Sequence, residues 1–504
     1  MAISRLPGSS TDVLIVGAGP AGSTLAAELQ LRNVQTIVVD RAEQATTESR
    51  ALGLTIGCLE YFLMRGQLGR LGKLQERNQV HFAGFPLVVE GISSRLSPAT
   101  EIPQYVTERV LSDWLLELGG SVSRGWELVD FTQDDGRVVS ELVSSRGETR
   151  SITSSYIVGC DGSSSRVRSI ANLGFEVSKP SVQMILGDFV GTDLPDNPFG
   201  QRNARGMVMS GPLGNGAMRV IVAEFGAPLF DRGARLTGAE IGDAYKRVLG
   251  SAFNWQSLLW GSSFTDASGS AEKLIANRAI IIGDSAHVHL PAGGQGMNVS
   301  ILDAAHLGWR LADAVQDGSS AILGSFEEER LLAARSLIMN TQAQGQLFLR
   351  GTEVEALREV FARLLAADTS RRKLARDVSS IGLRYEFGYA HDDDAVGRPA
   401  LSGYFPSIPW EETRAGLLKS AQWLYVSKPD FDSSALKNLQ NVDLQRLETH
   451  DIRCDTDSET QERNAVLVRP DGIVAWTDVS RVSMDQALNY WLQSADKSPS
   501  RMEK

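Results

Sequence analysis

Three short stretches combine residue types that could hold a ligand or carry chemistry. The first is Gly17-Ala18-Gly19-Pro20-Ala21-Gly22, with Asp40 standing 18 residues beyond the last glycine. Glycines at this spacing allow a tight turn, a close approach of backbone to a pyrophosphate, and tight packing of a helix on a strand; the acid then accepts from a ribose hydroxyl. The second is Asp161-Gly162-Ser163-Ser164-Ser165-Arg166-Val167-Arg168, an acidic turn leading into a basic segment. The third starts at Gly283-Asp284-Ser285-Ala286-His287 and continues through Pro291-Ala292-Gly293-Gly294-Gln295-Gly296-Met297-Asn298. Four glycines or prolines in six residues, just before a helix start, build a loop with exposed N–H groups. Such a loop suits an anion or the polar edge of a ring.

Other reactive residue types give weaker signals. His287 and His289 could suggest a general base, although His287 reads more simply as structural. Cys58, Cys160 and Cys454 lie far apart without a C-x-x-C pair, so neither a disulfide framework nor a zinc site is indicated. Cys58 and Cys160 read as small buried residues. No metal site is expected. No isolated acid–base pair stands out, and the catalytic residue is left open.

These motifs need elements to position them. Val13–Val16 is a continuous apolar run of the kind a buried parallel strand shows. A helix through Leu31 and a second strand, Thr36–Val39, complete a β-α-β unit ending at Asp40. Tyr156 to Gly159 and Ala279 to Ile282 are further buried strands, each running into an acidic turn. Phe82 to Ile92 and Val182 to Phe225 change to a strand pattern, with a hairpin around Gly211–Gly216, and form an antiparallel second lobe. Helical signals return near Asp284 and run through Leu365, where Val354, Leu357, Phe361, Leu364 and Leu365 make an apolar face read as core. The cluster Gly397, Pro399, Gly403, Pro406 and Pro409 reads as a linker. Beyond it, Ala465 to Trp476 is a hairpin turning at Pro470-Asp471-Gly472.

Bulk properties narrow the class. The 504 residues are 42% hydrophobic and 22% charged, as in an ordinary globular protein. Lys+Arg 50 against Asp+Glu 61 gives a net charge of −11, which repels nucleic-acid backbones. No apolar stretch approaches membrane-spanning length, and Asp12 with the following glycines argues against a leader peptide. A cytoplasmic protein without nucleic-acid or membrane partners is expected.

In this order, G-x-G-x-x-G, D-G-x-x-S-x-V-R and G-D-S-A-H-x-x-x-P-x-G-G-Q-G-M-N resemble the FAD-dependent aromatic hydroxylases, the para-hydroxybenzoate hydroxylase-like single-component flavoprotein monooxygenases. The stretches Ser49–Gly53, Pro103–Glu108, Leu290–Asn298 and Asn340–Gly345 are similar to bacterial angucycline-type hydroxylases of aromatic polyketides. The resemblance implies an α/β fold: a Rossmann-like FAD-binding domain, an antiparallel β-sheet substrate domain and a C-terminal thioredoxin-like domain. It divides the chain into 1–181 (with a substrate-domain insertion near 80–103), 182–274, 275–394 and 395–504.

The resemblance also assigns roles. Gly17, Gly19, Pro20, Ala21 and Gly22 would hold the FAD pyrophosphate; Asp40 the adenosine ribose; Arg41 would lie beside the adenine. Arg50 and Gln104 match contacts to the phosphate and ribityl parts, and Asp284 the acid on the ribityl chain. Pro291, Gly294, Gly296, Met297 and Asn298 match the loop beside the isoalloxazine, Pro291 and Gly294 being the loop's catalytic candidates. Asp161 matches a motif tied to FAD and nicotinamide-cofactor use. A helix starting near Asn298, with no carboxylate before Asp303, would direct its positive end at the reduced flavin. The implied reaction is hydroxylation of a phenolic, polycyclic polyketide ring through a flavin C4a-hydroperoxide, in antibiotic or secondary-metabolite biosynthesis. FAD would be non-covalent, with NADPH and O2 as co-substrates, in a monomer or homodimer. No second G-x-G-x-x-G serves NADPH. The halogenase W-x-W-x-I-P signature is absent, whereas a Baeyer–Villiger or epoxidising oxygenase on the same scaffold stays open. With Cys454 as its lone cysteine, the C-terminal unit lacks dithiol chemistry.

Overall fold

The computed structural model describes residues 6–492 apart from residues 7, 91, 93, 101, 230–235, 390–392, 403–415, 417, 432–443, 450–451 and 456–459. Its centre is a parallel sheet in the order Ala279–Ile281, Thr149–Gly159, Ser10–Val16, Thr36–Asp40, Val122–Arg124. Val13, Leu14 and Ile15 are wholly buried, as a strand covered on both faces requires. Trp126–Gln133 and Val138–Ser144 add an antiparallel meander to Thr149–Gly159. Helix Pro20–Leu31 buries every residue from Ala21 to Leu29, because helix Gln295–Asp317 covers the side that the sheet does not. Glycine makes that contact close: a Cβ on Gly308 would meet Glu28 Cβ at 2.5 Å.

The second lobe is a five-stranded antiparallel sheet, ordered Asn197–Asn203, Gly206–Pro212, Ala217–Glu224, Gln183–Val190, Ser257–Thr265. Period-two alternation gives it two different faces. Ile185, Val208, Val220 and Val222 pack under helix Gly238–Leu249. Met184, Met207 and Ala223, with Met209, Ile221 and Phe264 at their margin, face the other way, toward Leu290 and Ala292. The hairpin Gln79–Phe82/Phe85–Val88 joins that second cluster.

The C-terminal unit carries a four-stranded sheet ordered Leu444–Glu448, Trp423–Ser427, Ala465–Val468, Val474–Thr477, with helix Met484–Leu492 following. The first two strands are parallel and the others antiparallel, the arrangement of a thioredoxin-like domain. The expected hairpin turn is present, with Gly472 at φ +84°.

Two expectations change. The described part of the expected linker pairs with the hairpin: Gly397 N–H donates to Val474 O (2.9 Å) and Ala400 N–H to Gly472 O (2.8 Å). Gly403, Pro406 and Pro409 lie outside the described residues. Helix Glu355–Leu364 buries none of its residues, and Leu357 and Leu364 are 54% and 59% exposed. Its inward contacts include Phe361, stacked on Phe82 with ring centroids 5.4 Å apart, and Arg358, which donates to Leu347 O (2.7 Å) and Ala83 O (3.1 Å). The periodicity marked a helix correctly, but periodicity alone does not report whether a face finds a partner.

Candidate cofactor and substrate site

The three glycines of the first motif have three different surroundings. Gly17 sits at φ +103°, and a Cβ there would lie 2.2 Å from Cys160 O. A Cβ on Gly22 would lie 1.9 Å from Gly17 O and 3.3 Å from Cys160 Cβ. Gly19 has nothing within 4 Å. Two glycines are therefore needed by the fold, and the third fronts open space. Helix Pro20–Leu31 begins at that space with no side-chain cap and no acid in its first turn, so its first N–H groups are available to an anion. Asp40 closes the turn, one oxygen accepting from Ala18 N–H and the other from Ala42 N–H, both at 2.8 Å. Each oxygen keeps a lone pair for a hydroxyl.

The second and third motifs meet beside the first. Ser285 Oγ donates to Asp161 Oδ1 (3.0 Å) and accepts from Gly162 N–H (3.1 Å). Asp161 Oδ2 accepts from Arg166 N–H (2.6 Å) and Val167 N–H (3.2 Å), tying down the start of the short helix Arg166–Ile170. Arg168 donates to Ser285 O and Ser163 O, both at 2.8 Å. Asp161 thus welds two motifs together, and its carboxylate is occupied by the protein. Gly283, at φ +63°, brings the strand end against Ser300 and Ala21. Asp284 is turned outward and exposed, while its neighbours Gly283 and Ser285 are buried.

Beneath this turn lies a closed ionic group that the motif spacing did not reveal. Asp303 accepts from Gly283 N–H (3.0 Å), His287 Nε2 (2.8 Å) and Arg330 Nε (2.7 Å). Burial alone would raise the Asp303 carboxyl; Arg330 and His287 outweigh it and bring it to about 2. His287 is therefore a structural partner of Asp303. His289 has Nδ1 at 2.7 Å from Leu290 O, and burial lowers its pKa. Burial pushes both the Cys58 and Cys160 thiols upward, so neither provides a thiolate.

The glycine-rich loop places Gly293 and Gly294 consecutively in left-handed conformation, at φ +71° and +64°. Helix Gln295–Asp317 starts three residues earlier than expected, with Gly294 as its N-cap and no side chain capping it. A Cβ on Gly294 would again meet nothing. Asn298 is wholly buried, accepting from Thr55 N–H (2.8 Å) and donating to Gly294 O (2.9 Å) and Gly53 O (3.3 Å). Its side chain holds the loop in shape. Met297 is half-buried against the main core.

Arg50 is exposed next to buried Ser49, and Arg41 opens the exposed stretch 41–48. Gln104 is committed to the backbone here: Ala51 N–H donates to Oε1 (3.4 Å), and Gln104 N–H donates to Ala51 O (3.1 Å). Arg219, from the middle sheet, donates to Arg50 O (2.9 Å) and Ser49 O, and forms a buried pair with Asp188 (2.7 Å). Register puts Asp188 opposite Arg219 on the face shared by Met184 and Ala223. A charged residue at an inward strand position was the available signal for Arg219.

Among the predicted residues, Arg41, Arg50 and Asp284 are exposed and Asp40 is half-buried, while Gly19 and Gly294 each front open space. Gln104, Asp161 and Asn298 use their side chains within the chain, and support the same surface from behind. An uncapped helix start facing a space that a Cβ would enter, with Asp40 bonded to the turn before it, fits a dinucleotide such as FAD.

Comparison with known proteins agrees. The sequence profile of the "FAD binding domain" family matches residues 10–341, and that of "Aromatic-ring hydroxylase, C-terminal" matches 410–495. The chain belongs to the FAD-dependent aromatic hydroxylases. Rifampicin monooxygenase of Rhodococcus hoagii is 32% identical, covering 95% of this chain and 98% of its own. The structure of CabE, an aromatic hydroxylase from angucycline biosynthesis, superposes with a TM-score of 0.85 at 36% identity, covering 95% and 99%. Dialkyldecalin synthase of Streptomyces rugosporus is 29% identical over 96% of this chain and all of its own.

A second cluster of reactive side chains in this hydroxylase is closed. Ligand atoms of His306, Glu329 and Asp471 lie within 4.8 Å of one another. Arg310 and Arg469 already occupy the carboxylates, at 2.7 and 2.6 Å from Glu329 and 3.3 and 2.7 Å from Asp471. A cleft of about 80 Å³ adjoins the cluster, walled by Glu60, Asn340, Tyr385 and Leu401 among others. No residue of the middle sheet lines it, so it is separate from the sheet face opposite the glycine loop.

Proposed function

We propose that this hydroxylase uses NAD(P)H and O2 to hydroxylate a polycyclic phenolic ring seated between the glycine loop and the middle sheet. The observation carrying this reading is the composition of the sheet's inner face. Met184, Met207, Met209, Ile221 and Phe264 form an apolar floor opposite Leu290 and Ala292, and thioether side chains adapt to large flat ligands. At one end the floor becomes polar, at Asp188 and Arg219 with Trp260 beneath the guanidinium (5.4 Å). A ligand with a fused ring body and a polar edge matches that gradient.

FAD would be held non-covalently by Gly17–Gly22, Asp40, Arg41, Arg50 and Asp284, with Pro291 and Gly294–Asn298 at its ring; Gln104 and Asp161 would act through the backbone they brace. When bound, the flavin supplies the redox and oxygen chemistry, and the protein supplies orientation and electrostatics. The N-terminus of helix Gln295–Asp317 offers uncapped N–H groups to negative charge at the loop. Leu290 and the floor exclude water there. We place the domain boundaries after residues 181, 274 and 394. With no dedicated nicotinamide fold in sequence, reduction is expected to be transient and stimulated by substrate.

The test is stopped-flow reduction by NADPH with and without a panel of polycyclic phenols, then turnover under ¹⁸O₂. Substrate should accelerate reduction, and one labelled oxygen atom should enter the product. Label arriving from H₂¹⁸O, or product formed without consumption of O₂, would remove the monooxygenase reading; the synthase among the relatives makes the second outcome worth measuring.

A further inference from the structure

Ala83 is an alanine in left-handed conformation, at φ +52°, fully buried at the tip of the hairpin Gln79–Phe82/Phe85–Val88. With Gly84 at φ +82° it makes a two-residue turn with both central residues at positive φ. Such turns favour Asn-Gly, and an alanine there is strained. The strain sits in the wall of the substrate floor: Ala83 packs in the same cluster as Met184, Met207 and Leu290.

One side chain below the turn satisfies its N–H. Ala83 N–H donates to Gln344 Oε1 at 3.1 Å, and Gln344 is wholly buried. Since that donor is a backbone N–H, the oxygen of the carboxamide must face it, and Gln344 Nε2 must point away. Nε2 donates to Asn340 Oδ1 at 2.8 Å. The same oxygen lies 3.4 Å from Gln295 Nε2, which also lies 3.4 Å from Ala292 O in the glycine loop. The polarity of each carboxamide is thus set by the one before it. The following residue, Gly345, lies against Leu290, where a Cβ would sit 3.4 Å from Cδ2.

We infer that Gln344, acting through Asn340 and Gln295, is a positioning residue that couples the substrate wall at Ala83 to the cofactor loop at Ala292. The inference rests on the proposed seat of the substrate, and deepens it. A ring system on the floor bears on the hairpin tip. The tip cannot relax freely, because a strained turn held by a buried bond has few alternative positions. Its displacement is passed along the carboxamide chain to the loop carrying Gly293 and Gly294, whose left-handed glycines can move with little steric cost.

The experiment compares wild-type holoenzyme with Gln344→Met, which removes both bonds, and Gln344→Glu, which keeps the acceptor for Ala83 and, when ionised at alkaline pH, loses the donor to Asn340. Three quantities are read: FAD content, the factor by which a stimulating polycyclic phenol accelerates NADPH reduction, and hydrogen exchange in peptides covering 79–88 and 289–296. Gln344→Met should keep its FAD but lose roughly tenfold in stimulation, the scale of one unmade buried hydrogen bond. Its loop peptide should cease to respond to the phenol, with Gln344→Glu falling between. Full stimulation and an unchanged exchange response in Gln344→Met would overturn the inference. So would losses that merely track FAD content in both variants. Should Gln344→Met fail to fold, Asn340→Ala, half-buried at the middle of the chain, carries the same expectation and the same refutation. If no phenol stimulates wild type, the proposed function fails by itself. The coupling is then read without turnover: FAD binding should protect the 79–88 peptide in wild type and not in Gln344→Met, and equal protection in both would overturn it.

Discussion

The proposed cofactor cradle and the seam of the C-terminal unit both concentrate charge and hydrogen bonding, and they are built in opposite ways. In the cradle, donors are backbone N–H groups, Gly19 and Gly294 face nothing, and Asp284 and Arg50 point outward. In the seam the buried carboxylates Glu28, Glu329 and Asp471 are each closed by a guanidinium from the same chain. Glu329 and Asp471 lie between Arg310 and Arg469, with Trp309 Nε1 donating to Asp471 at 2.9 Å. Arg65 is paired with Glu28 (2.7 Å) and donates to Pro470 O (2.8 Å). Burial opposes ionisation of Glu329, but Arg310 and Arg469 hold it well below its usual range. The lesson is that reactive residue types mark a binding site only when the fold leaves them unmatched. The trio His306, Glu329 and Asp471 has metal-like spacing, yet two guanidiniums already neutralise it.

The largest break in this comparison should come from the seam. Arg469→Ala leaves two buried carboxylates short of a cation and should cost about 3–5 kcal/mol, read as a lower midpoint in denaturant. FAD affinity measured under native conditions should change little. A loss of FAD affinity matching the loss of stability would show that the two regions are not separable.

Within the cradle, the glycine needed by the fold and the glycine fronting open space separate cleanly. Gly17→Ala meets Cys160 O and an unfavourable φ, and should destabilise the fold by about 2–4 kcal/mol. Gly19→Ala should leave thermal stability of the apoprotein within about 0.5 kcal/mol, yet weaken FAD binding at least tenfold by filling the space beside the helix start. An apoprotein of Gly19→Ala that binds FAD normally would refute the assignment of that space to the cofactor.

Asp284→Ala removes an exposed acid and no internal bond, so melting should be unaffected. Fluorescence titration should show FAD affinity weakened by roughly 1.5–3 kcal/mol. Full flavin retention after dilution would remove Asp284 from the site.

The smallest effect is a pH dependence at the seam's edge. Burial raises the Glu60 carboxyl from 4.5 to about 7, with bonds from Ser402 and Ser94 opposing the rise. A raised carboxyl favours the folded state while protonated, so its contribution is fully present below pH 4.5 and is lost as pH rises through 7. Glu60→Gln should therefore be nearly neutral at pH 5 and gain about 1–2 kcal/mol relative to wild type at pH 8. A gap between the two proteins that does not widen with pH would contradict the buried, protonated state.

What could be read in advance differs between the two regions for a physical reason. The glycine motif, both buried strands and Asp40 were legible because local spacing encodes a β-α-β turn, and the surroundings found for Gly17, Gly19 and Gly22 are the three that the spacing demands. The roles of Gln104, Asp161 and Asn298 were legible only as positions. That Gln104 and Asn298 serve the backbone of Ala51 and Thr55, 53 and 243 residues away, and that Asp161 meets Ser285 across 124, depends on segments far apart in sequence. Leu357 and Leu364 carried a sound helical period and no information on burial.

By itself the sequence determined the element order, the family and the position of the glycine turns, because those are written in local patterns of glycine, apolar runs and acids. Only the tertiary structure decided which polar groups stay free. Arg330 and Asp303 are 27 residues apart, Gln344 and Ala83 are 261 apart, and Arg469 and Glu329 are 140 apart. A side chain's availability to a ligand is a property of what the rest of the chain leaves unpaired, and pairing across such distances is set by packing, not by spacing.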